Sequence, residues 1–144
     1  MQIRYSAVLP TSADVAFDFV SDPACWPSFF RHMESAEALE GWGAVGGKAH
    51  MVNRLLGQEV VSDLVLVEWD RPRRFRYVGH NGGRPDTENL RVFESVPGGT
   101  LLTGTTTAEA RPGFPGLVDR LTFLAVRRTF RTAMKQLPRQ LATP

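Results

Sequence analysis

The chain has 144 residues, 42% of them hydrophobic, and 17 Lys and Arg against 15 Asp and Glu give a formal net charge of +2. That length can bury one core without metal or disulfide staples, so a single domain over residues 1–144 is expected, and so small a net charge gives no ground for nucleic-acid binding. Cys25 is the one cysteine, which excludes an intrachain disulfide or a thiolate metal cluster made by this chain alone and suits a reducing compartment, the cytoplasm by default.

The opening MQIRYSAVLPTSADVAF has no apolar h-region of a signal peptide, and no run is long enough to cross a bilayer, so a soluble protein is expected. Gln2 to Leu9 alternates loosely and stops at Pro10, as a first strand would. Thr11 or Ser12 can cap the helix that follows, whose stripe is Val15, Ala16, Phe19 and Val20. Asp22-Pro23 breaks it and opens a second short helix carrying Trp26, Phe29 and Phe30, with Pro23 at the position where a missing N–H costs nothing. Met33 to Leu39 reads as a strand, and the glycine-rich Gly41 to Gly47 as a flexible hairpin loop at a pocket rim. Strand-like runs then follow at Lys48 to Leu55, Gln58 to Trp69, Arg74 to His80, Thr87 to Val96 and Thr100 to Ala110. They are separated by Leu56-Gly57, Asp70-Arg71-Pro72, Asn81-Gly82-Gly83 and Pro97-Gly98-Gly99.

A closing helix is expected over Gly116 to Leu137. Its later half carries one apolar stripe at spacings of three and four: Phe123, Val126, Phe130, Met134, Leu137 and Leu141. Its earlier half is apolar on the opposite side as well, through Leu117, Leu121, Leu124 and Ala125. Burial on both sides is the expectation there, and a greasy cavity mouth or a dimer surface is the alternative. Arg127, Arg128, Arg131, Lys135 and Arg139 share one side of this helix. A solvated basic face accounts for them; an acyl carrier protein or an anionic membrane surface is the alternative partner.

Val15-Ala-Phe17 followed by Val20-Ser-Asp-Pro23 and Trp26-Pro27 resembles the opening of the helix-grip (SRPBCC, START-like) superfamily, which includes polyketide cyclases and dehydrases, lipid carriers and birch-pollen-type allergens. Val67-Glu-Trp-Asp-Arg-Pro-Arg-Arg-Phe75, the run Phe93 to Leu102 and the arginine-bearing last helix agree with it, in order, over nearly the whole chain. The resemblance implies an α+β helix-grip fold, a curved antiparallel sheet around a long C-terminal helix with an internal apolar cavity. It also implies a hydrophobic or amphipathic ligand, such as a lipid, a polyketide or another aromatic. Activity does not carry over with the fold, because one fold serves carriers, enzymes and regulators.

The residues themselves contain no GxSxG elbow, HExxH, P-loop or paired-cysteine zinc spacing. His32, His50 and His80 lie on separate segments without ligand spacing and read as surface or turn histidines, so no metal and no cofactor is assigned. Strand alternation gives a better lead. Phe75 and Tyr77 inward put Arg74, Arg76 and His80 in water; the resemblance implies that Phe93 packs inward, and period two then brings Arg91 and Asn89 to the same face. Trp69 inward brings Asp63 with it, and Ala49, Met51 and Leu55 inward bring Asn53. The expected cavity is therefore apolar at Trp26, Phe29, Met51, Trp69, Phe75, Phe93 and Leu121, with a polar line of Asn53, Asp63, Tyr77, Asn89 and Arg91. Asp63 is the expected counter-charge for Arg91, and the opposite register, with Leu90 and Val92 inward, stays open. Two functions fit: a ligand carrier, or a cyclase, aromatase or dehydratase in which Arg91 steadies an enolate oxygen and Tyr77 supplies a proton.

Overall fold

Alternating strands and glycine turns build one sheet. In the computed structural model, which describes residues 1–142, seven strands pair antiparallel in the order β1-β7-β6-β5-β4-β3-β2. They are β1 (Gln2–Leu9), β2 (Met33–Ala38), β3 (Lys48–Leu55), β4 (Gln58–Asp70), β5 (Arg74–Asn81), β6 (Arg84–Val96) and β7 (Gly99–Thr107). The β5–β6 hairpin closes through Gly82 and Gly83 at φ +58° and +81°, a left-handed pair that side chains with a Cβ adopt at a cost.

Helix α1 (Ala13–Val20) starts where the Ser12 hydroxyl accepts the Val15 N–H, and a 3₁₀ turn at Pro23–Ser28 starts where Asp22 accepts the Ala24 N–H. Helix α2 (Phe114–Ala142) packs on β1, at one edge of the sheet, and on β3, next to the other edge. One helix about 10 Å across reaches both only if the sheet curls round it. The expected architecture is thus present, with a longer last helix. Pro138 removes one helical hydrogen bond without ending α2, because Leu137, fully buried, and Leu141 hold its last turns against the core.

The first half of α2 departs from expectation. Phe114, Leu117, Leu121 and Leu124 are more than half exposed instead of being buried on both sides. The reason is positional: α1 packs on β6, β7 and the 3₁₀ turn, so it does not cover the start of α2. The Gly41 to Gly47 loop also differs. Trp42 Nε1 donates to the Ser21 carbonyl at 2.8 Å, and Gly46 N and Leu66 N form a reciprocal pair of 2.8 Å bonds with Leu66 O and Gly47 O, which fastens the loop to β4. None of its residues reaches the cavity.

Candidate ligand-binding cavity

The inner face of the sheet divides into a solid half and a hollow half. In the solid half Phe17, wholly buried, sits edge-on to Trp69, Phe75 and Phe93 with ring centroids 5.0, 5.6 and 5.2 Å away. Trp26 stacks on Tyr77 at 5.4 Å while its Nε1 donates to the Val20 carbonyl at 2.7 Å, and Phe29 packs between Phe19 and Phe30. Trp26, Phe29, Trp69, Phe75 and Phe93 are therefore core and line no part of the cavity, contrary to expectation. Leu121 is on the outside of α2.

In the hollow half lies a cavity of about 110 Å³. Its apolar wall is made by Phe30, Met33, Met51, Val60, Phe123, Val126 and Phe130. Its polar wall contains Asn53, Tyr77, Asn89 and Arg91, to which Ser62, Asn81, Thr87 and Thr106 are added by the same inward alternation of β4, β5, β6 and β7. Leu90 and Val92 face away from the interior.

Asp63 does not belong to this group. Its side chain is 76% exposed on the outer face, where it meets His50 Nδ1 at 3.0 Å. The cause is a β-bulge: the pairing of β4 with β5 slips between Leu66 and Glu68, leaving Val67 as the extra residue. Trp69 is turned inward after the bulge, whereas before it Val60, Ser62, Leu64 and Leu66 are the inward residues. Asp63 and Arg91 should accordingly act independently. Asp63→Leu should cost no more than ~1 kcal/mol, and its effect should add to that of Arg91→Met within ~0.5 kcal/mol in chemical denaturation.

Arg91 is 3% exposed, and its guanidinium lies 5.3 Å from the Tyr5 ring centroid and 5.5 Å from that of Tyr77. Its Nη2 donates to the Tyr77 hydroxyl at 3.2 Å, and its Nη1 has no hydrogen-bond partner. Burial pushes the Tyr5 phenol well above its ordinary value despite the nearby guanidinium, so Tyr5 stays neutral and is no counter-ion. Gly104 makes this stack possible. It pairs with Tyr5 on one side and Arg91 on the other, and a Cβ there would overlap the Tyr5 ring. Gly104→Ala should displace the ring and cost about 1–3 kcal/mol, read from the urea midpoint.

Several other polar groups of the wall are satisfied internally. Thr106 Oγ1 donates to Asn89 Oδ1 at 2.8 Å, and Asn81 takes the Ser62 hydroxyl at 2.6 Å while donating to the Pro85 carbonyl at 2.9 Å. Asp119, on α2, is held by Arg111 through its backbone N–H (2.9 Å), Nε (3.0 Å) and Nη2 (2.7 Å), and these bonds keep its carboxyl below the usual range. Asn53 Oδ1 and His32 Nδ1 are buried without partners. His32 lies in a turn, one of the two places expected for it, but not at the surface: it lines the cavity, edge-on to Phe30 and Phe130, and burial lowers its pKa to about 4. The one signal in the sequence was its place between Phe30 and Met33. Among the described residues no cluster of His, Cys, Asp or Glu is placed to hold a metal, and Cys25 has its thiol pushed up by burial and by the Asp22 carboxylate.

A curled antiparallel sheet gripping one long helix, with a partly polar cavity between them, defines a helix-grip protein. The chain belongs to the family described as polyketide cyclase / dehydrase and lipid transport, which it matches over residues 1–142. Among solved structures it is similar to TTHA0849 from Thermus thermophilus, at 22% identity and a TM-score of 0.83 with all of both chains covered. It is also similar to a START superfamily protein from Mycobacterium smegmatis, at 15% identity and a TM-score of 0.74 over 98% of this chain and 97% of that one. A third is the di-domain ARO/CYC BexL from the BE-7585A biosynthetic pathway, at 15% identity and a TM-score of 0.77, where this whole chain covers 50% of the other. These likenesses establish the fold. No curated protein matches the chain.

Proposed function

We propose that this protein binds a hydrophobic or amphipathic small molecule in the cavity between the sheet and α2, as a carrier or binding protein. The observation that carries this reading is the pairing of an apolar wall with polar atoms that have no partner inside the protein, Arg91 Nη1 and Asn53 Oδ1. Buried polar groups left unpaired are costly, and a ligand that satisfies them recovers that cost. The size of the site supports a ring or short chain as the part enclosed. An engineered cavity of roughly 150 Å³ holds benzene, and this one is about 110 Å³ as it stands.

A second reading, a polyketide cyclase, aromatase or dehydratase, is favoured by one contact. The Tyr77 hydroxyl accepts from Arg91, so its own proton is free to be given to a ligand oxygen whose developing charge Arg91 would steady. An acyl carrier protein would be the partner that such an enzyme needs.

Binding is tested with neutral compounds of graded size: benzyl alcohol, 2-naphthalenemethanol and 1-octanol. At least one should raise the melting temperature progressively as its concentration increases, and Val126→Phe, which fills the apolar wall, should abolish the rise. If none binds, benzoate and octanoate do not bind either, and protein purified from its source carries no small molecule in native mass spectrometry, the cavity is not a binding site.

A further inference from the structure

We infer that the ligand is an anion, a carboxylate or enolate oxygen on an apolar body, whose charge is neutralised by Arg91. The inference rests on the cavity reading above and names its ligand class.

The charge balance of the cavity carries it. Arg91 is 3% exposed, and its only electrostatic neighbours among the described residues are Tyr5 and Tyr77. Neither tyrosine supplies a negative charge of the kind a buried guanidinium requires: Tyr5 is held neutral, and the Tyr77 hydroxyl meets Arg91 as a hydrogen-bond acceptor. Two aromatic faces at 5.3 and 5.5 Å offset part of the desolvation cost but accept none of the guanidinium protons. Asp119, a carboxylate in the same lining, has both oxygens engaged by Arg111. Arg84, also in the lining, adds a second positive group at the β5–β6 hairpin. The cavity therefore holds a fixed buried cation with an open Nη1 donor and no internal anion to match it. A buried charge is retained at such cost when something pairs with it, and a ligand oxygen bearing negative charge is the group that fits an open guanidinium edge.

The test compares matched pairs that differ only in charge: benzoate with benzyl alcohol, and octanoate with 1-octanol. Affinities are measured by calorimetry at pH 8, so that the carboxylates are ionised. In the wild-type protein each carboxylate should bind about ten- to a hundredfold tighter than its alcohol, the difference expected of one charge-assisted contact in a buried site. In Arg91→Met that preference, read as the ratio of affinities within each matched pair, should vanish. The arginines of α2 are unchanged in this variant, so a preference due to them would persist. Arg91→Lys, which retains the charge, should keep part of the preference.

Alcohols that bind the wild-type protein as tightly as their carboxylates overturn the inference and leave the binding reading intact. So does a carboxylate preference that survives in Arg91→Met. Failure of all four compounds and of the neutral panel together sinks the binding reading, and the inference with it. The wild-type comparison needs no variant, so a folding defect in Arg91→Met does not shield the inference.

Discussion

Phe17→Ala is expected to lower stability by about 3–5 kcal/mol, the usual cost of deleting a fully buried aromatic ring from a core that relaxes only in part. Phe17 is 0% exposed and is the point at which α1 meets the sheet, since its ring touches Trp69 from β4, Phe75 from β5 and Phe93 from β6. These three rings hold the solid half of the inner face together. Edge-to-face aromatic pairs add about 0.5–1.5 kcal/mol each beyond area burial, so the upper part of that range applies. The measurement is urea denaturation with the slope compared to wild type. Because Phe17 lines no part of the cavity, ligand affinity per folded molecule should be nearly unchanged. A loss below about 1 kcal/mol would mean that α1 is not anchored by this ring.

Sequence reasoning reached the fold and the Arg91 wall for one physical reason, and missed Asp63 for its counterpart. Inward parity carries along a strand only while the ladder is continuous. Between Phe93 and Asn89 the pairing of β6 with β5 and β7 has no slip, so an inward Phe93 correctly carries Arg91 and Asn89 inward. Between Trp69 and Asp63 the ladder contains the Val67 bulge, and parity inverts. A bulge without glycine or proline leaves no mark in a run such as VLVEW. The exposed start of α2 was illegible for a different reason. Hydrophobic periodicity says that Leu117, Leu121 and Leu124 share a face, but what covers that face depends on where α1 packs. His32 was rightly read as a turn residue, but its inward side was missed because no periodicity assigns an inside to the turn before β2. The aromatic positions could say which face was apolar, whereas the valines of β4 pointed the wrong way, since Val61 and Val67 lie on the outer face and Val60, Leu64 and Leu66 on the inner one; neither could say which half of the inner face would be filled by rings and which left hollow.

His32 should make the protein lose stability as the pH falls through the range where an ordinary histidine titrates. Its ring borders the cavity against Phe30 and Phe130, its Nδ1 is buried without a partner, and its pKa is lowered to about 4 by burial alone. In the unfolded chain it titrates near 6.5. Between these two values the unfolded chain binds the proton and the folded protein does not, so protons favour unfolding. The contribution is fully present above about pH 6.5 and is withdrawn as the pH drops towards 4. The shift amounts to about 3 kcal/mol, of which ~2–3 kcal/mol should be gone by pH 4.5. Carboxylates with lowered values, Asp18, Asp70 and Asp119, also lose their ion pairs in acid, so the effect is read as a difference from His32→Leu. That variant keeps the aromatic wall apolar and should lack the loss between pH 6.5 and 4.5. A proton NMR titration of the imidazole gives the same quantity directly, and a midpoint near 6.5 in the folded protein would contradict its burial. Because His32 and Arg91 border one cavity, a bound anion should raise the His32 midpoint by pairing with the protonated ring, and a neutral alcohol should not. The same titration, repeated with benzoate and with benzyl alcohol, therefore links this acid sensitivity to the charge of the ligand.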